Sequence, residues 1–290
     1  MASLTTIVSV AGSVTLAGLF ANSTIDRNLV GPAMPTRIVA APTAKAHVVQ
    51  VTGEDFKFDA PDIIPAGLTE FRFLNKGPSM HHMEILKLSG DKTIEDLRAA
   101  LANPGPPPAW VKTIGGPNAP DPGLTSNATL MLEPGNYALI CFVDIGGPPH
   151  FAKGMVRPLR VVPSKVAAAK PKADLTATLV DYTFRLSTPI KAGARTIRVH
   201  NAGKQDHEVE LIQLGPGKTL ADLMTWLSKT EGPPPGKALG GVAGMAPGST
   251  AYFHADFTSS SSYALVCFVP DEKDGKPHFA HGMAQQITVK

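Results

Sequence analysis

The sequence predicts an all-β fold: two tandem Greek-key β-sandwiches, each interrupted by one short helix, behind an N-terminal hydrophobic segment. Three observations predict it. Residues 46–290 repeat with a period of about 126 residues. Each repeat is a series of short alternating segments bounded by Gly and Pro, the pattern of a sandwich rather than of a solenoid with its far shorter units. The 290 residues are 43% hydrophobic and 18% charged, enough apolar content for two cores, and 27 Gly plus 27 Pro stay below a disordered composition.

The elements follow in order. Leu4 to Ala21 is apolar and carries no charged side chain. Three readings of residues 1–25 compete: a cleaved signal peptide, an uncleaved anchor helix, or a helix packed on protein. All three fit export to the periplasmic or extracytoplasmic side. Residues 26–45 are a Pro/Ala/Thr tether. The first repeat spans 46–163, a linker rich in Ala, Lys and Pro spans 164–173, and the second repeat spans 174–290.

Strands are expected at Ala46–Val51, Thr69–Leu74, Met83–Leu88, Tyr137–Phe142 and Val156–Val162. Their counterparts are Leu175–Val180, Thr196–His200, Val209–Leu214, the Tyr263–Phe268 run and Met283–Val289. The helices are expected at Thr93–Leu101 and Leu220–Lys229, with Leu97/Leu101 and Leu223/Leu227 at helical spacing. The repeated motifs are conspicuous. Asn75-Lys-Gly-Pro-Ser-Met-His81 recurs as Asn201-Ala-Gly-Lys-Gln-Asp-His207, and Lys92-Thr-Ile-Glu-Asp-Leu97 as Lys218-Thr-Leu-Ala-Asp-Leu223. Gly105-Pro-Pro-Pro108 recurs as Gly232-Pro-Pro-Pro235, and Ile114-Gly-Gly as Leu239-Gly-Gly. His150-Phe-Ala-Lys-Gly-Met155 recurs as His278-Phe-Ala-His-Gly-Met283.

The net charge is +3, with no Lys/Arg run and no basic stripe, so nucleic acid is not an expected partner. Two cysteines cannot build a disulfide framework. They stand instead in Cys141-x8-His150-x4-Met155 and Cys267-x10-His278-x4-Met283, each with an upstream histidine, His81 or His207. Two imidazoles, a thiolate and a weak axial thioether form a blue-copper ligand set. The plainer alternatives are buried core thiols for Cys141 and Cys267 and core filling for Met155 and Met283. By strand alternation His82, whose repeat partner is Glu208, is expected to face solvent. His281 is expected at the surface near the second site, and His47, His200 and His254 are expected to be structural or exposed. Phe56, Phe151, Phe279 and Tyr182 are expected to pack in the core or at a site rim.

On these motifs both repeats resemble cupredoxins. The Cys-x8-His-x4-Met of the first repeat, ending in Gly154-Met155, is similar to the type 1 copper loop of copper nitrite reductases. The Asn-x-Gly…His pattern resembles the cupredoxin strand bearing the first histidine. The resemblance covers nearly all of residues 46–290 and implies a mononuclear type 1 copper in each repeat, used for single-electron transfer. Two-domain nitrite reductases and multicopper oxidases carry a histidine directly before the copper cysteine. Here Ile140 and Val266 stand there, and no His-x-His pair occurs. The expectation is therefore a membrane-tethered electron carrier and not an enzyme, with a redox protein or a membrane electron-transport complex as partner. The rivals are a docking subunit of such a respiratory or photosynthetic complex with vestigial sites, and a periplasmic copper storage or delivery protein.

Overall fold

A computed structural model describes residues 45–102, 107–144 and 147–289. The expected N-terminal segment 1–25, the tether up to residue 44 and part of the Gly105-Pro-Pro-Pro108 motif lie outside the described residues. Among those described, no helix is long and apolar enough to cross a membrane.

The first repeat runs β1 (His47–Glu54), β2 (Lys57–Asp59), β3 (Ile63–Pro65), β4 (Gly67–Asn75), β5 (Glu84–Leu88), α1 (Ile94–Leu101), β6 (Val111–Gly115), β7 (Thr125–Leu132) and β8 (Gly135–Ile140). It closes with a 3-10 turn, His150–Lys153, and β9 (Val156–Val162). The second runs β10 (Leu175–Val180), β11 (Thr183–Leu186), β12 (Gly193–Asn201), β13 (His207–Leu214), α2 (Leu220–Lys229), β14 (Gly236–Met245), β15 (Thr250–Phe257) and β16 (Ser262–Val266). A 3-10 turn, His278–His281, and β17 (Ala284–Thr288) complete it. The fold is thus the expected all-β pair of sandwiches with one inserted helix each.

Strand faces are chosen by their large apolar side chains. In β4, Phe71 and Phe73 are fully buried and Arg72 points outward to Glu70 at 2.7 Å. Burying a Phe stabilises by about 1.5–3 kcal/mol. An exposed ion pair contributes about 0–1 kcal/mol. The aromatics therefore set the register, and β1 follows in parallel with Val49 opposite Phe71 and Val51 opposite Phe73.

The recurring Lys-Thr-x-x-Asp-Leu motif is a helix start. Thr93 and Thr219 are N-caps, and Asp96 and Asp222 return hydrogen bonds to the cap backbone. Such a cap is worth roughly 0.5–2 kcal/mol. Each helix lays its Leu on the outer face of a sheet: Leu97 packs with Leu86, Ile140 and Val156, and Leu223 with Ile212 and Val266. This covers Ile140 and Val266 completely.

The sheets do not stop at the repeat boundary. One has eight strands, β11-β10-β12-β15-β7-β4-β1-β2, and the other nine, β17-β16-β13-β14-β6-β5-β8-β9-β3. The joins are short: Tyr252 opposite Thr129, and Met245 opposite Ile114. Asn127 imitates a strand partner there, accepting from the His254 N–H and donating to its carbonyl, both at 2.8 Å. The strands that form these joins, β6, β7, β14 and β15, are absent from the sequence reading. The recurring Gly-Gly pair belongs to the same seam. A Cβ on Gly116 or Gly241 would stand 2.0 or 2.2 Å from the Met83 or Val209 carbonyl oxygen, and both have positive φ, 148° and 139°.

Candidate metal centre

The structure gathers each predicted ligand set at one end of its sandwich. His81, Cys141 and His150 place one ligand atom each within 4.8 Å of the others, and so do His207, Cys267 and His278. All six are buried. In the first set the two Nδ1 atoms face each other at 2.9 Å, and Cys141 Sγ lies 3.6 Å from His150 Nδ1. In the second the corresponding distances are 3.0 and 3.4 Å.

The loops explain the convergence. After β8 and β16 the chain enters a Pro-capped 3-10 turn that opens on His150 or His278. Gly154 and Gly282, in the left-handed region at φ 108° and 98°, then reverse it. Met155 consequently donates its N–H to the His150 carbonyl and accepts from the Cys141 N–H, at 3.0 and 3.1 Å. Met283 does the same with His278 and Cys267 at the same distances. Both methionines are fully buried.

On the upstream side, Asn75 and Asn201 hold the loop before each histidine. Asn75 accepts from the Gly77 N–H at 3.0 Å and donates to the Ser79 and Pro120 carbonyls, both at 2.9 Å. Asn201 repeats this with Gly203, Gln205 and Met245. Two residues that the sequence reading passed over complete the picture. Asp55 meets His81 Nε2 at 2.6 Å, and Asp181 meets His207 Nε2 at 2.9 Å. A carboxylate on one ring nitrogen fixes the tautomer and leaves the other free to ligate. Asp55 and Asp181 are 126 residues apart, so the repeat period was the signal that could have found them.

The electrostatics suit a metal. Burial lowers His81, more than the Asp55 carboxylate raises it. Burial and the neighbouring imidazole bring His150 and His278 down to about 4. Burial pushes the Cys141 thiol up to about 12 and raises Cys267 likewise. Backbone N–H groups oppose this rise. Cys141 receives them from His82 and Val143, and Cys267 from Glu208 and Val269, the Glu208 contact being 3.4 Å. Neutral imidazoles and a desolvated sulfur with N–H donors are what a soft cation needs to displace the thiol proton. The donor set fits copper.

The rims differ. Phe56 packs edge-on to His150 at 4.9 Å, with Lys153 Nζ 4.5 Å from its ring centre. Tyr182 packs edge-on to His278 at 5.5 Å and donates to Asp271 at 2.5 Å. His278 Nε2 lies 3.8 Å from Asp271 and has no hydrogen-bond partner. Phe151 and Phe279 pack on Phe142 and Phe268. His281 is exposed beside Asp274, His47 and His254 are exposed, and His200 is half-buried.

One expectation fails on geometry. His82 is 7% exposed rather than solvent-facing. Alternation points it out of its own sandwich, but there it packs edge-on to the Phe142 ring at 6.2 Å. Its Nε2 accepts the Phe142 N–H at 2.8 Å.

The small residue in each Asn-x-Gly turn is a steric requirement. A Cβ on Gly77 would lie 2.5 Å from His81 Nε2 and 2.8 Å from Asp55 Oδ1, and one on Gly203 2.5 Å from both His207 Nε2 and Asp181 Oδ1. Gly77→Ala should therefore break the His81–Asp55 pair and weaken metal binding at the first site by about 10–100-fold. Competition against a chelator reads this out, and unchanged affinity would show that the pair does not orient His81.

No protein-family model and no curated protein sequence matches the chain. Among solved structures it is similar to a reduced auracyanin from Roseiflexus castenholzii, at 21% identity over 41% of this chain and 100% of that one, TM-score 0.30. It is similar to a blue copper oxidase from Nitrosomonas europaea at 14% identity over 85% of this chain and 86% of that one, TM-score 0.25. A copper-containing nitrite reductase from Thermus scotoductus matches at 12% identity over 85% of this chain and 62% of that one, TM-score 0.22. The expectation that the chain is no enzyme is corrected by these likenesses. Oxidases and a nitrite reductase stand among its structural neighbours, so that exclusion does not hold.

Proposed function

We propose that the chain is a two-site copper protein for single-electron transfer, with a type 1 copper in each repeat. The observation that carries the reading is the doubled set of buried Nδ1, Nδ1 and Sγ atoms, each with a buried Met beside it. Copper, when bound, supplies a centre that alternates between Cu(II) and Cu(I). The chain's own residues do the rest. His81 and His207 are held by Asp55 and Asp181. The turns at Gly154 and Gly282 fix His150, His278 and the methionines. Burial of both cysteines keeps water from the sulfur. His150 and His278, on loops at one end of each sandwich, are the side from which a redox partner approaches.

The proposal extends to place and partner. The uncharged run from Leu4 to Ala21 motivates export and attachment to a membrane, and a redox protein or membrane electron-transport complex is the partner. One set of measurements on native protein tests the reading. Metal analysis should find copper in both repeats, the visible spectrum should show a strong thiolate–copper band, and the protein should fractionate with membranes. Tightly bound zinc, or no band after loading with copper, would overturn electron transfer. A soluble protein beginning near Asn22 would overturn the anchor alone.

A further inference from the structure

The two repeats are controls for each other, and beside the second metal centre they differ in several ways at once. The loop from Cys267 to His278 is longer than the loop from Cys141 to His150, and it carries Asp271 and Asp274 where the first loop has Asp144 alone. Phe56 is replaced by Tyr182, Ser79 by Gln205 and Lys153 by His281. These changes meet in space. Asp271, Asp274 and His281 each place a ligand atom within 4.8 Å of the others. Tyr182 and Gln205 hold the Asp271 carboxylate, donating to its Oδ2 at 2.5 and 2.9 Å. Its Oδ1 accepts the Lys273 N–H at 2.9 Å and has a second lone pair. His281 Nε2 and Asp274 Oδ1 stand 3.1 Å apart. Two ligands about 2.1 Å from one ion, at right angles to each other, stand about 3.0 Å apart.

His278 supplies a second observation. Its side chain is fully buried, and its Nε2 lies 3.8 Å from Asp271 Oδ2 with no hydrogen-bond partner. The network assigns the protons of the neutral rings. His207 Nε2 meets the Asp181 carboxylate at 2.9 Å and therefore carries its ring's proton. His207 Nδ1 is then the acceptor at 3.0 Å from His278 Nδ1, which must donate. His278 Nε2 is left bare and facing a carboxylate, two acceptors with no donor between them. A cation on Asp271 brings that donor. An ion with three protein ligands keeps water in its open positions, and metal-bound water is a strong donor.

We infer that Asp271, Asp274 and His281 form a third metal site, for a divalent cation of the manganese or zinc class. Carboxylate oxygens and an imidazole without a thiolate suit such an ion, whereas the cysteines suit a softer one. The ion takes the place of the His281 Nε2 proton, which moves to Nδ1 of the same ring. Lys276, 3.5 Å from Asp274 Oδ2 and with a side chain 67% exposed, turns out to solvent. The site ties the inserted loop to the turn that opens on His278, and it does not rest on the copper reading.

Manganese(II) is the probe, because the free aqua ion gives a paramagnetic resonance signal that is lost on binding. Titration of the full chain, prepared without copper, should show one bound Mn(II) per chain. The bound ion should broaden the ring resonances of Tyr182, whose centre is 5.2 Å from that of His281. Those of Phe56, its counterpart in the first repeat, should stay sharp. Asp274→Asn and His281→Gln, both at exposed positions, should each weaken binding by more than the about 10–100-fold that loss of an outer partner costs. No bound ion in the parent protein, an affinity that survives both substitutions, or equal broadening of Phe56 and Tyr182 would overturn the site. None of these outcomes touches the reading of the two thiolate centres.

Discussion

Cys141→Ala should abolish copper binding in the first repeat and leave the second intact, and Cys267→Ala should do the reverse. The two ligand sets share no residue and belong to separate sandwiches. The thiolate is the strongest ligand in each. Outer partners of metal ligands are already worth about 10–100-fold in affinity, so losing the sulfur costs more than that. Each single variant should hold about one copper per chain and keep one thiolate band. The proton balance adds a pH dependence. With its thiol near 12, Cys141 is protonated at neutral pH, whereas His150, near 4, is already neutral. Copper must displace one proton per site, so affinity should rise about tenfold per pH unit through the neutral range. Chelator competition at several pH values measures both effects. Loss of both bands from either substitution would mean a shared metal. A flat pH profile would mean that the sulfur is already a thiolate before copper arrives.

Raising the pH should destabilise the seam between the repeats, and Glu84→Gln should relieve part of that loss. Burial raises Glu84 well above its ordinary value, and the nearby Glu208 and Asp206 raise it further against a hydrogen bond from the Gly244 N–H. Burial and Glu208 raise Glu210 in the same way. Burial brings Glu208 itself to about 7. An acid whose folded value is raised binds its proton more tightly in the native state. Its contribution is fully present below the unfolded value and is lost as pH climbs through the folded one. Each such carboxyl steepens the fall by up to about 1.4 kcal/mol per pH unit. Urea midpoints between about pH 5 and 9 should therefore decline in the parent protein. Gln at position 84 keeps the volume and the acceptor for Gly244 and cannot ionise, so its decline should be shallower. Equal slopes in the two proteins would remove Glu84 from the account.

Both ligand sets were legible in the sequence, because a duplication preserves residue type and spacing along the chain. The same period that pairs Cys141 with Cys267 also pairs Asp55 with Asp181, and it identifies the carboxylates behind His81 and His207 once it is applied to every position. Strand alternation placed His82 and Glu84 on the outer face of their strand. It could not say what covers that face, because periodicity fixes which side of a sheet a residue leaves and carries no information about a neighbouring sandwich. The four joining strands were missed for a related reason. β14 carries a Gly pair and β6 ends on the first Gly of another, where alternating side chains would mark a strand, and single bridges tie them across the seam. Asn118 gave no signal at all, since its hydrogen bond to Glu208 exists only after two segments 90 residues apart have been brought together. The sequence by itself determined which atoms can hold a metal, because ligand chemistry is a property of residue type. Only the tertiary structure decided that Glu84, Glu208 and Glu210 lie buried where the two repeats meet, because that depends on how one sandwich covers the outer face of the next.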